Sequence, residues 1–354
     1  MPCIYVKIKY KYLLYRNTEN NQVKLLMMKK LKLICTILCG MVVSFGATAQ
    51  QVDYSVVYVP EEAGCEFIQI TSAGDYVCMP VVERFRNRID WLTNRIIDIS
   101  KTGTHIAYLS YRNNTTNIFV KELGKQGGSV QRTNRSAVLD FSYSPDGKYI
   151  CFSEKRGDTN QIFQTGAESG YICRQITSAN QDYSPIYSKD MKQIFFARAE
   201  ANGVSIWSYN IQNSFLSSFT AGQNPYPSPN ESAIYCTRMN GSGKAEIWRF
   251  DYASGVEECI ISDTNRSFTS PVLSPDGQWL LFVGESIIDT GTFTYRNTDL
   301  YVCHPDGSNF EQLTYHAADD LSPVWSRDGR YIYFISQRGS ADATANIWRM
   351  NFVY

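Results

Sequence analysis

The chain has 354 residues, room for one large domain or two ordinary ones, and with 44% hydrophobic residues, 24 Tyr, 18 Phe and 6 Trp it has too much to bury to stay disordered. Its 34 basic and 34 acidic residues balance, but residues 1–49 hold eight Lys/Arg against Glu19 alone, which leaves 26 basic and 33 acidic residues, a net −7, in the remainder. That excludes a nucleic-acid binder working by phosphate neutralisation, and three His leave little material for a His-rich metal centre.

Residues 1–49 are expected to be an N-terminal extension and a secretory signal, with translation starting at Met28. Met28-Lys29-Lys30-Leu31-Lys32 is a basic start, Leu33 to Phe45 is an apolar run of 13 residues, and Ala47-Thr48-Ala49 supplies small residues for cleavage between Ala49 and Gln50. The run is too short for a stable membrane span, and neither Cys35 nor Cys39 follows the small residues that lipid attachment needs. A periplasmic or otherwise exported protein follows, with residues 50–64 as a short lead. Seven Cys remain beyond the signal (Cys65, Cys78, Cys151, Cys173, Cys236, Cys259 and Cys303), an odd count with no C-x-x-C pair. Cys151 and Cys236 lie in apolar runs, as buried thiols do, and neither zinc nor thiol exchange is expected.

From there the sequence repeats. Anchored on Ser100, Ser144, Ser188, Ser228, Ser274 and Ser326, six copies carry Thr102, Asp146, Asp190, Asn230, Asp276 or Asp328 two residues on. Six residues on they carry Ile106, Ile150, Ile194, Ile234, Leu280 or Ile332. Ser144-Pro145-Asp146-Gly147 and Ser274-Pro275-Asp276-Gly277 predict tight hairpins, with Pro pre-setting φ and Gly turning left-handed. Met191 and Glu231 take the Gly position in repeats three and four, where looser or differently shaped hairpins are expected. The following runs, such as Tyr149-Ile150-Cys151-Phe152, are apolar without alternation and so are expected to be covered on both faces. Third strands follow at Ile118, Ile162, Ile206, Ile247, Leu300 and Ile347, and fourth strands in repeats one to five. Repeat six stops after its third strand, and Glu66 to Thr71 is expected to supply the missing one and close the ring. The expected fold is all-β: a six-bladed β-propeller of four-stranded blades over residues 65–354.

These repeats resemble the TolB-type propeller repeat. The resemblance rests on Ser144 to Phe152, Ser274 to Phe282, Leu321 to Gly329 and the Ile-Trp strand ends at Trp207, Trp248 and Trp348. It implies a propeller shared with prolyl-oligopeptidase-like peptidases and oligogalacturonate lyases, a fold that hosts many activities. The 15 residues of 50–64 leave no room for the α/β domain that precedes the propeller in TolB itself. The peptidases need a G-x-S-x-G elbow, and Gly284-Glu285-Ser286-Ile287-Ile288 lacks the second Gly. The lyases hold a metal with several His, whereas His105, His304 and His316 are dispersed.

Ligand candidates fall on the loop-rich face. Residues 71–100 form an insertion with Arg84, Phe85, Arg86, Arg88, Asp90 and Trp91, in which a short helix is expected; Gly284 to Asn297 is a second insertion. Mixed Arg and aromatic content suits a protein or glycan contact, or an insertion that merely packs over the channel mouth. Arg112, Arg156, Arg198, Arg238, Arg296 and Arg338 recur just past the second strand. They form either an anion-receiving ring or pairs with acids of neighbouring blades such as Asp182 and Asp320. His316, near Asp319 and Asp320, is the one His to consider for catalysis, or else an ordinary loop His. The expectation is a monomeric, non-catalytic binding propeller without cofactor or metal, whose partner is a protein or an envelope glycan. The alternatives are a lyase-like enzyme on acidic oligosaccharides and an accessory factor of glycan uptake.

Overall fold

The computed structural model describes residues 54–57, 59–80, 95–125, 127–168, 172–178 and 180–353. The signal and its cleavage site at Ala49 and Gln50 lie outside the described residues, as do Arg84 to Trp91 and the helix expected there. What is described is an all-β, propeller-like fold of four-stranded antiparallel sheets, accompanied by two three-residue 3-10 turns, Pro60–Glu62 and Ala73–Asp75. Repeat two shows the plan: inner strand Val138–Tyr143, second strand Tyr149–Arg156, third strand Thr159–Gly166 and outer strand Cys173–Gln175. A single parallel bridge, Gln181 to Asn160, joins this sheet to that of repeat three.

The serine anchor explains the repeat spacing. In repeat two the Ser144 hydroxyl donates to Asp146 Oδ1 at 2.6 Å and accepts the Tyr149 N–H at 2.9 Å, while Gly147 N–H closes the turn on the Ser144 carbonyl. Repeats three, five and six make the same contacts through Asp190, Asp276 and Asp328. The hairpins of repeats three and four are not looser, contrary to expectation. Met191 and Glu231 adopt φ 63° and 55°, beside 75° at Gly147, and donate to Ser188 and Ser228 as the glycines do. A left-handed side chain costs about 1 kcal/mol. The contacts of these side chains offset part of that: Met191 packs on the core around Ile194 and Phe196, and Glu231 accepts the Asp190 N–H at 2.6 Å.

Second strands are sealed on both faces, as their unbroken apolar runs imply: Ile106, Ile150, Ile194, Ile234, Leu280 and Ile332 are fully buried. Inner strands are sheet edges, and edges tolerate proline and bulges. Five of them bulge: one between Val138 and Asp140, and four at Ser184-Pro185, Asn224-Pro225, Ser270-Pro271 and Ser322-Pro323, where the residue before proline sits at φ 50–57°.

Outer strands end by a shared device. Gln131, Gln175 and Gln312 each donate through the side-chain amide to the carbonyl two residues on, at Thr133, Thr177 and Thr314. Each threonine hydroxyl in turn accepts a third-strand N–H, from Ile118, Ile162 and Leu300. Gln69-Ile70-Thr71 repeats this at the other end of the chain. Phe67–Gln69 pairs antiparallel with Asn346–Asn351, Ile70 N–H meets the Ile347 carbonyl at 2.8 Å, and Thr71 Oγ1 accepts the Ile347 N–H at 2.8 Å. Thr71→Val, an isostere without the acceptor, is expected to cost about 1–3 kcal/mol by leaving that buried N–H unpaired. A urea-unfolding midpoint unchanged from wild type would refute the role.

Candidate functional site

The six arginines do not converge; each guanidinium is engaged within its own repeat, by the N-terminal segment or, for Arg238, also by the outer strand of repeat three. Arg112 donates to Ser110, Ser129 and the Asp75 carbonyl over the Phe119 ring. Arg156 pairs with Glu154, and Arg296 with Glu285. Arg238 binds Glu257 and Thr220 and lies 4.6 Å from the Trp248 ring centroid. Arg198 makes a bidentate pair with Asp182, its cross-strand neighbour in the same sheet, 4.4 Å above Trp207. Asp182 therefore belongs to the blade of Arg198 and Asp320 to that of Arg338, not to neighbouring blades as expected. In repeats one to four the recurrence is that of a staple on the third-strand aromatic: Phe119, Phe163, Trp207 and Trp248. Arg198 and Arg338 are too buried to meet a ligand on an exposed face.

Arg338 is the extreme case. Its guanidinium is fully buried, forked onto Glu62 at 3.0 and 3.1 Å, 2.6 Å from Asp320 Oδ2, bonded to the Val57 carbonyl and stacked on Phe67. Burial opposes its charge, but Asp320 and Glu62 outweigh that and raise its pKa. Asp299, burdened by burial and by the charges of Asp320 and Glu62, is pushed up to about 9, and Asp320, mainly by burial, to about 6. His316 adjoins this node but is fully buried rather than displayed on a loop. Its Nδ1 accepts the Ala318 N–H at 2.9 Å, which puts a neutral ring's proton on Nε2, and Tyr54 covers it at 6.4 Å between ring centroids. The second insertion is a continued hairpin, Leu280–Asp289 with Thr294–Cys303, with Phe293 and Tyr295 in contact near its tip. Arg86 and Trp91 lie outside the described residues. All seven described cysteines are free thiols, with Cys151, Cys236 and Cys303 buried and Cys259 exposed.

The open space lies elsewhere, at the serine turns. A cavity of about 450 Å³ is lined by the residue after every anchor serine: Lys101, Pro145, Lys189, Pro229, Pro275 and Arg327. Tyr143, Tyr187, Tyr226, Leu273 and Trp325 form its walls. Arg327 donates to the Ile99 and Ser100 carbonyls, and Asp98 is occupied by the Ile99 and Tyr143 N–H groups. Lys101 and Lys189 are exposed and Arg95 half-buried, its guanidinium 5.3 Å from the Tyr226 ring centroid. Among the described residues, none of these three forms an ion pair. Behind this cavity lies a space of about 20 Å³ lined by Arg95, Ser184, Asn224, Ser270 and Ser322 with Pro271, Val272 and Pro323. Sequence reasoning missed this site. Its signal was the alternation of Lys, Arg and Pro just after the anchor and the x-Pro pairs four residues before it.

Among the described residues, no group of three or more His, Cys, Asp or Glu is arranged to hold a metal ion, and no helix is long and apolar enough to cross a membrane. The chain is 30% identical over 196 residues to an uncharacterized peptidase of Bacillus subtilis (strain 168), YuxL, a match that takes in 51% of this chain and 28% of that protein's length. It superposes on a putative TolB from Agrobacterium tumefaciens with TM-score 0.57 at 19% identity, covering 73% of this chain and 90% of that one. An oligogalacturonate lyase from Vibrio parahaemolyticus gives TM-score 0.56 at 10% identity, covering 83% and 96%. At such identities these structures show the fold alone. The model of the TolB beta propeller domain matches residues 97–290, more than half of the sequence, and the chain belongs to that family.

Proposed function

We propose that the six repeats form a closed six-bladed ring, completed by Phe67–Gln69 in the last blade, and that the protein is exported and binds a partner without catalysis. The inner strands of successive repeats adjoin, and that of repeat six adjoins that of repeat one, which supports closure. The binding site is the cavity at the turn face rather than the opposite, loop-rich face. One observation carries this: a single space receives one residue from each of six turns and presents Lys101, Lys189 and Arg95, none of them held in an ion pair among the described residues. Cations over aromatic and proline walls suit an anionic partner with apolar side chains. The partner is a protein or other component of the cell envelope, and a rigid ring presents the site at little conformational cost.

The test is retention of envelope components on immobilised mature protein. Wild type is expected to hold a partner that elutes with salt, and the doubly reversed variant Lys101→Glu/Lys189→Glu to lose it by tenfold or more, since both side chains are exposed and outside the core. Equal retention by both proteins would sink the site. Turnover of oligogalacturonate, with or without added Mn or Ca, would replace binding by the lyase reading.

A further inference from the structure

Resting on the turn-face cavity as the ligand site, we infer that it takes the C-terminus of an extended polypeptide end-on, with the terminal carboxylate on Arg95. The turn-face cavity of about 450 Å³ and the space of about 20 Å³ behind it share Arg95, Val272 and Pro323 in their linings. The smaller space admits a water-sized group, not a chain. Its collar is stiff: Ser184, Asn224, Ser270 and Ser322 hold left-handed backbones, each followed by a proline. A ligand that enters from the turns therefore stops there with its tip against a guanidinium, whose planar fork matches the two oxygens of one carboxylate.

The cations are graded with depth. Lys101, Lys189 and Arg327 stand at the turns and Arg95 at the narrow end, with Ile186, Tyr226, Val272, Val324 and Trp325 among the walls. A ligand complementary to that series has an anionic tip and apolar groups behind it, which a peptide ending in apolar residues provides. A uronic-acid chain carries a carboxylate on every ring and would lay charges against these apolar walls.

The experiment selects binders from a hexapeptide display library with free C-termini against the full mature protein. The best binder is then made as free acid and as C-terminal amide and titrated calorimetrically. Wild type is expected to favour the acid by about 10- to 100-fold, the range of one charge-assisted bidentate contact. Arg95→Met should bind acid and amide alike, Arg95→Lys should recover part of the preference, and Lys101→Met should weaken both forms while keeping it. Thermal unfolding of each variant checks that the ring is intact. Equal binding of acid and amide by wild type, a preference that survives Arg95→Met, or a selection without binders would overturn the inference. So would binding of trigalacturonate at the cavity in place of peptide. Each of these leaves the envelope-retention result standing, whereas failure of the Lys101→Glu/Lys189→Glu variant to release its partner removes the site itself.

Discussion

Replacing Arg338 with Met is expected to lower the unfolding free energy by about 3–5 kcal/mol, the usual cost of removing one partner from a buried ionic cluster. The methionine fills most of the volume and keeps apolar contact with Phe67, so packing is a minor part of the loss. The main part is electrostatic. Glu62 and Asp320, both essentially without solvent contact, lose their counter-charge, and the Val57 carbonyl loses a donor. The damage should concentrate where the chain ends meet, because Glu62 sits on the segment leading into Phe67–Gln69, while Asp320 and Arg338 sit in the last repeat. Gly339 and Ser340 also donate to the Val56 and Tyr54 carbonyls, so this segment should fray first. Calorimetric melting is expected about 6–15 °C lower, with amide exchange accelerated first at residues 67–70. Arg156→Met is the internal control: this guanidinium occupies the same place in repeat two but is 46% exposed, where such pairs contribute under about 1 kcal/mol. Equal melting of the two variants would show that the buried cluster has no special weight.

These two arginines also mark where the sequence stops being legible. Their recurrence is visible as an offset from the anchor serine, and so are the serine turns, the buried second strands and the Glu66 to Thr71 segment. All of these are local chemistry repeated: a hydroxyl that holds a carboxylate and an amide, or a threonine that ends a ladder. What a guanidinium faces depends on register and on which sheet closes over it. Asp182 is the cross-strand partner of Arg198 only because the inner strand bulges between Tyr183 and Ile186. His316 reads as a loop residue until Tyr54, from the far end of the chain, is laid across it. The cavity was hidden for the same reason: Lys101, Lys189 and Arg327 are unremarkable one at a time and become a site when six turns face one space. Met191 and Glu231 misled in the opposite direction, since residue identity at one position was outweighed by the anchor contacts on either side.

The acidic surroundings of Arg338 lead to a second expected result. Asp299→Asn should stabilise the protein, and the gain should grow with pH. In the folded protein the Asp299 carboxyl keeps its proton up to about 9, whereas an unfolded chain releases it near 4. Between those values the folded state holds a proton that the unfolded state does not, so rising pH favours unfolding until the folded pKa is passed. Asparagine removes that slope. It is nearly isosteric with the protonated acid, and its carbonyl can accept the Asn297 amide that now reaches Asp299 Oδ2 at 3.1 Å. A gain of about 1–3 kcal/mol is expected at pH 8, shrinking towards zero near pH 4, as read from urea midpoints at pH 5, 7 and 9. Parallel profiles for mutant and wild type would refute it. The direction follows from counting charge: Asp320, Glu62 and Asp319 all burden Asp299 while Arg338 alone relieves it, and Asp319 is itself raised by burial. A proton on Asp299 is the second positive charge that this node needs in order to stay buried, and a neutral amide supplies the same relief at every pH.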